Sequence, residues 1–213
     1  MDANLMKYKA LKSEVSMVEI IVICSYTEIL PLNFLIFRIL ILSPYLLDNL
    51  VAIGGQSPGP SSNIEVIDLK NDATNCYPQS LPYKVYRHSS VYSPVLKGVL
   101  TCGGNDETWR DLSKCVLISK CNHSTAFPSM NLKRNRHTLT SISNYIFAIG
   151  GFGTNTGDIG NMEIINLETE HQWSQQNMPF SVYSHCTVAL GNNIIVTGGE
   201  NEDWRVRKIL LKF

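Results

Sequence analysis

Charge is scarce in this chain, and neither sign prevails. Charged side chains make up 17% of the 213 residues, against about 25% in an average soluble domain. Lysine plus arginine and aspartate plus glutamate number 18 each. A balanced chain presents no broad basic face to a phosphate backbone, which argues against nucleic acid as a partner. The six cysteines (Cys24, Cys76, Cys102, Cys115, Cys121 and Cys186) include no Cys-x-x-Cys pair and no Cys/His spacing of a zinc module, so no structural metal is expected. No Gly-x-Gly-x-x-Gly run occurs, and no Lys-Ser/Thr follows a glycine pair, so the glycines are not read as phosphate loops.

Uninterrupted apolar length is also missing. The densest stretch, 29–47, has about the length needed to span a bilayer, but Pro31, Asn33, Arg38 and Pro44 break it up. An arginine at mid-span alone costs roughly 2.5–3.5 kcal/mol on insertion scales. The stretch starts too late for a signal peptide and lacks a small-residue cleavage pattern. Residues 1–47 are therefore set apart as an atypical N-terminal segment. It reads as one or two buried strands, 36–42 and 45–47, of a degenerate unit preceding the periodic part; a membrane anchor is the second reading.

What the chain does have is a period. Four apolar runs end in paired glycines: Gly54-Gly55, Gly103-Gly104, Gly150-Gly151 and Gly198-Gly199. The spacings are 49, 47 and 48 residues, the length of a four-stranded repeat unit. After the first and third pairs come a turn-rich loop and then a strand, 64–69 and 162–167; the middle repeat supplies 114–118. A weaker fourth strand follows, clearest at 171–173, with Tyr77 and Phe127 at about the same distance as Trp173 from their own glycine pairs; then comes an apolar-proline step: Leu81-Pro82, Phe127-Pro128, Met178-Pro179. A histidine closes each unit: Arg87-His88, Arg136-His137 and Ser184-His185. A glycine at the end of a crowded strand permits positive φ and close backbone approach.

Together these landmarks resemble kelch repeats, over 48–213. The resemblance implies an all-β fold, a kelch-type β-propeller that is incomplete, with about three to four four-stranded blades. The four glycine pairs and Trp173 are its expected structural residues. The pattern departs from the family where the middle repeat lacks the acidic residue of the third strand, and Trp173 is the one tryptophan at the expected place. Missing blades are expected from a longer chain or a second copy.

Function is expected in loops held on a rigid scaffold. By the resemblance, a protein or peptide partner meets residues after the glycine pairs: Gln56, Asn105, Asp106, Phe152, Glu200 and Asn201. Arg87, Arg136 and Ser184, before the first strand of each unit, complete the set. Arginine holds carboxylates bidentately, so Arg87 and Arg136 suit an acidic peptide. Trp109 and Trp204 each follow the first glycine of a pair by six residues. They are expected to pack between units, an exposed hot spot being the alternative.

No nucleophile is marked, and the tyrosine-cysteine-histidine set of the copper radical oxidases, which are kelch-type propellers, has no match. The chain thus reads as a non-catalytic, cytoplasmic protein-interaction scaffold without cofactor. Its specific form is a substrate adaptor of a cullin-type ubiquitin ligase. The alternatives are an actin-binding kelch protein and a secreted or membrane-anchored one. Free thiols are the default for the cysteines, with a Cys102–Cys115 bridge as the other reading. Asn122-His123-Ser124 is a glycosylation sequon.

Overall fold

The computed structural model describes residues 39–41, 49–56, 59–68, 78–119, 124–169, 172–201 and 207–212. They form an all-β protein of antiparallel sheets, with no helix among them. The first sheet takes β1 (Ile39–Ile41), β2 (Asn49–Ile53), β3 (Ser61–Asp68) and β4 (Ser80–Val85), side by side in chain order. The second repeats that order with β5 (Ser89–Ser93), β6 (Gly98–Cys102), β7 (Cys115–Ser119) and β8 (Thr125–Phe127). In the third, β9 (Thr138–Ile142) and β10 (Tyr145–Ile149) precede a small hairpin of β11 (Phe152–Gly153) and β12 (Gly157–Asp158). The sheet is then completed by β13 (Asn161–Asn166) and β14 (Ser174–Asn177). A fourth sheet holds β15 (Tyr183–Leu190), β16 (Asn193–Glu200) and β17 (Arg207–Lys212).

The second strand of each sheet explains the apolar runs. In β10, Ile146, Phe147, Ala148 and Ile149 are all buried. Ile146 and Ala148 join a core with Leu100, Cys102 and Cys115 of the second sheet, while Phe147 and Ile149 join Ile194 and Val196 of the fourth. A third core, with Val51, Ile53, Val99 and Ile118, lies between the first two sheets. A strand covered on both faces has no polar side to show, so it reads as continuous hydrophobicity. Each buried aliphatic side chain contributes about 1.5–3 kcal/mol. The first strands of successive sheets lie against one another, β1 on β5, β5 on β9 and β9 on β15.

Three expectations need correction. Residues 39–41 do not belong to a preceding unit: they pair with β2, Ile39 opposite Ile53, as the first strand of the first sheet, so this sheet begins before residue 48. The 45–47 strand lies outside the described residues. The fourth strand of the third sheet starts at Ser174, not at 171–173. Trp173 instead turns inward, 4% exposed, and donates its indole N–H to Pro128 O at 2.9 Å.

The cysteines are the third. Cys102 and Cys115 are not free thiols but a disulfide. They face each other in β6 and β7. The neighbouring hydrogen bond, from Gly103 N to Lys114 O (2.9 Å), makes theirs a non-hydrogen-bonded pair, the position where opposite Cα atoms come closest; here the distance is 4.1 Å.

Candidate functional site

All eight glycines of the four pairs have positive φ, from 57° to 105°. At the first three pairs the chain leaves its strand and meets the segment that leads into the next sheet. The second glycine's N–H donates to a carbonyl there: Gly55 to Val85 (3.0 Å), Gly104 to Arg134 (2.9 Å) and Gly151 to Val182 (2.8 Å). These contacts bring the post-glycine loops and the residues ahead of β5, β9 and β15 to one edge of the sheets.

Three of those residues are left-handed without being glycine: Arg87 (φ 54°), Arg136 (53°) and Ser184 (52°). Such conformations are uncommon outside glycine, persist only where neighbours enforce them, and cluster at functional sites. Here the enforcement is a backbone chain. Arg136 N–H donates to Arg87 O and Ser184 N–H donates to Arg136 O, both at 2.9 Å. Mutual hydrogen bonds between Tyr86 and Asn105, and between Asn135 and Phe152, hold the flanks.

The side chains form a cationic and aromatic patch. The Arg87 guanidinium lies 5.2 Å from the Tyr86 ring and 5.7 Å from the Trp109 ring, which themselves meet edge to face at 5.2 Å. Arg136 lies 5.6 Å from the Tyr183 ring, which meets Phe152 edge to face at 5.7 Å. Partial burial pulls the Arg87 pKa down, and the positive charge of Arg136 pulls it further. Among the described residues the ion pairs are Lys84–Glu107 and Arg134–Glu163; neither Arg87 nor Arg136 has one. Desolvation, with Glu200 hydrogen-bonded and charged nearby, raises the Tyr183 hydroxyl to about 12.

The expected site residues therefore divide. Arg87, Arg136, Ser184 and Phe152 come together. Asn105 does not face a partner: it is 3% exposed and donates through Nδ2 to Asp111 Oδ1 at 2.7 Å. Asp111 Oδ1 also accepts from Asn135 Nδ2 (2.7 Å) and its Oδ2 from Thr154 N–H (2.6 Å), which fastens the second sheet's loop to the third. Asp106 serves its own loop, where Oδ1 accepts from Thr108 N, Thr108 Oγ1 and Arg110 N. Gln56 is half-buried in a bridge with Pro60. Glu200 lies opposite Tyr183 at the end of β16, and Asn201 follows it, half-buried.

Trp109 overturns its packing expectation. It is 60% exposed, with φ 64°, at the tip of the loop that Asp106 ties down. Trp204, Asn122 and Tyr77 lie outside the described residues. Sequence reading passed over Tyr86 and Tyr183, although each directly precedes the left-handed residue of its unit and so shared a visible register.

The repeated histidines are buried. The ring Cε1 atoms of His88 and His137 lie 2.8 and 2.6 Å from where a Cβ on Gly54 and Gly103 would stand. Burial pushes His88 down to about 4 and His185 to about 3, and holds His137 well below the usual imidazole value. Among the described residues no three His, Cys, Asp or Glu side chains cluster as metal ligands. No family model matches this chain, and no curated protein does.

Proposed function

We propose that the four sheets are blades of an incomplete kelch-type β-propeller, and that the chain is a non-catalytic protein-interaction module taking an acidic peptide at Arg87 and Arg136. The observation that carries this is the paired arginines. The two guanidinium groups stand at equivalent positions, the charge of Arg136 lowers the pKa of Arg87 beyond what burial does, and among the described residues neither is in an ion pair. A carboxylate between them would relieve the repulsion and gain charge-assisted hydrogen bonds. The rings of Tyr86, Trp109 and Tyr183 supply the apolar wall that a peptide backbone and its neighbouring side chains need. The kelch assignment rests on the in-phase landmarks of the sequence together with successive sheets that stack first strand to first strand. The ubiquitin-ligase adaptor and actin-binding roles rest on the resemblance alone.

Fluorescence anisotropy with labelled peptides rich in aspartate and glutamate tests the reading, with a lysine-rich set as control. The doubly substituted Arg87→Ala/Arg136→Ala protein should bind at least about tenfold more weakly, roughly 1.4 kcal/mol. Its thermal midpoint should stay near that of the parent. Equal affinity for lysine-rich peptides, or no loss in the double variant, sinks the proposal.

A specific observation favours the secreted alternative over a cytoplasmic scaffold. Cys102–Cys115 is bridged and Cys186 is also in a disulfide, and structural disulfides persist mainly in oxidising compartments. Sugar found on Asn122 of protein isolated from its source would support that placement; three free thiols at Cys102, Cys115 and Cys186 would defeat it.

A further inference from the structure

The two arginines sit at the centre of a patch whose ends are acidic. Their backbones run side by side, Arg136 N–H donating to Arg87 O at 2.9 Å, and chains joined in this way lie roughly 4.8 Å apart. An aromatic wall stands on each side of the pair, and each wall has carboxylates beside it.

On the Arg87 side the wall is Trp109, exposed and backed by the buried ring of Tyr86. Asp106 belongs to the same turn. Its carbonyl accepts from Trp109 N–H at 3.1 Å, and the Thr108 hydroxyl holds its carboxyl below the usual range. Asp111 closes the same loop, accepting from Asn105 Nδ2. Glu107 is balanced by Lys84 at 3.2 Å.

On the Arg136 side the wall is Tyr183 with Phe152, both half-buried. Each has an acid directly across its ladder: Asp158 opposite Phe152 in β11–β12, and Glu200 opposite Tyr183 in β15–β16. Residues so placed have Cβ atoms about 4.5–5.5 Å apart. Asp158 Oδ2 is buried and has no hydrogen-bond partner among the described residues.

The electrostatics agree with this placement. Burial raises the pKa of the Tyr86 hydroxyl; Arg87 and Arg136 pull it down, while Asp106 and Asp111 push it up. Burial, Glu200 and Asp158 raise that of Tyr183 against the pull of Arg136. With Arg110, which acts on Asp106, three cations stand among four carboxylates, so only the centre of the patch is positive. An acidic run would carry its outer charges onto Asp106 and Asp158, and like charges brought face to face repel.

We infer that the partner segment carries a single acidic residue for Arg87 and Arg136, an aromatic residue on each side of it for Trp109 and Tyr183, and no further acid next to them. Aromatic side chains suit these walls because rings pack edge to face or offset on rings. The inference rests on the acidic-peptide reading and narrows it from acidic sequence in general to one acid between two rings.

Anisotropy with labelled peptides of equal length tests this, each holding one triplet in a Gly-Ser background. Phe-Glu-Phe should bind at least about tenfold more tightly than Glu-Glu-Glu or Ala-Glu-Ala. Trp109→Ala should erase most of the advantage over Ala-Glu-Ala, and Asp158→Asn should improve the binding of Glu-Glu-Glu. If Glu-Glu-Glu binds as tightly as Phe-Glu-Phe or more so, the narrowing is wrong while the arginine site stands. Ala-Glu-Ala equal to Phe-Glu-Phe removes the aromatic flanks. Phe-Gln-Phe equal to Phe-Glu-Phe, or no binding by any of the peptides, defeats the arginine site itself and this inference with it.

Discussion

Arg134 and Glu163 meet at 2.6 Å with both side chains fully shielded from water. Arg134 also donates through Nη1 to Gly150 O (2.7 Å) and through Nη2 to Asn161 Oδ1 (3.0 Å). Glu163 accepts from the backbone N–H groups of Asn131 (2.5 Å) and Leu132 (2.9 Å). The pair thus clamps the segment that leads into the third sheet onto β10 and β13.

Removing one partner of such a pair strands a buried charge, at a cost of about 3–5 kcal/mol. Glu163→Ala should lower stability by that order in urea titration, while a joint Arg134→Met/Glu163→Leu change should cost much less. Lys84 and Glu107, at 3.2 Å but 56% and 62% exposed, supply the contrast. Lys84→Ala should stay within about 0.5 kcal/mol of the parent.

Acid should unfold the protein before its carboxylates titrate. His88 and His185 have folded values near 4 and 3, and His137 is also depressed, all by burial. A depressed histidine takes up its proton more readily when unfolded, so its stability contribution is complete above about pH 6.5 and is lost as pH falls toward the folded value. At pH 5 the loss should be roughly 2 kcal/mol per histidine. Urea midpoints at pH 7.5 and 5.0 check this, and His185→Gln should flatten the slope. A midpoint flat across that range would refute buried neutral imidazoles.

Gly150 is irreplaceable for two reasons, and Gly191 for one. Both have positive φ, 57° and 58°. A Cβ on Gly150 would collide with the Val182 carbonyl, whereas one on Gly191 meets nothing within 4 Å. Gly191→Ala should cost about 1–2 kcal/mol, the backbone penalty alone. Gly150→Ala should cost several times more, because the neighbouring sheet must move; chemical denaturation separates the two.

Three donors converge on Asp111: Asn105, Asn135 and Thr154. Asp111→Asn replaces an acceptor with a donor that faces donors. It should destabilise by about 1.5–3 kcal/mol, the range for hydrogen bonds to a charged group, and should speed tryptic cleavage at Arg110. Unchanged proteolysis would show that the loop does not depend on this carboxylate.

Much of the architecture was legible in the residues because its causes are local. A strand buried on both faces writes a continuous apolar run, as at 146–149, and a left-handed exit writes a glycine. The proposed site was legible in part. Arg87, Arg136 and Ser184 shared a register that the repeat exposed, but Asn105 stood in a register just as good and turned inward. Nothing nearby in sequence distinguishes them, since the Asn105 side chain follows Asp111 and, through it, Asn135 of the next sheet.

By itself, the sequence determined the repeat, its phase and the left-handed exits at the glycine pairs, since continuous apolar runs and glycine act within a few residues. Only the tertiary structure decided that Trp109 stands in solvent, that Cys102 finds Cys115 and that Arg134 buries its charge against Glu163. Each of these depends on which side chains the stacked sheets bring face to face, and contacts of that kind leave no periodic trace along the chain.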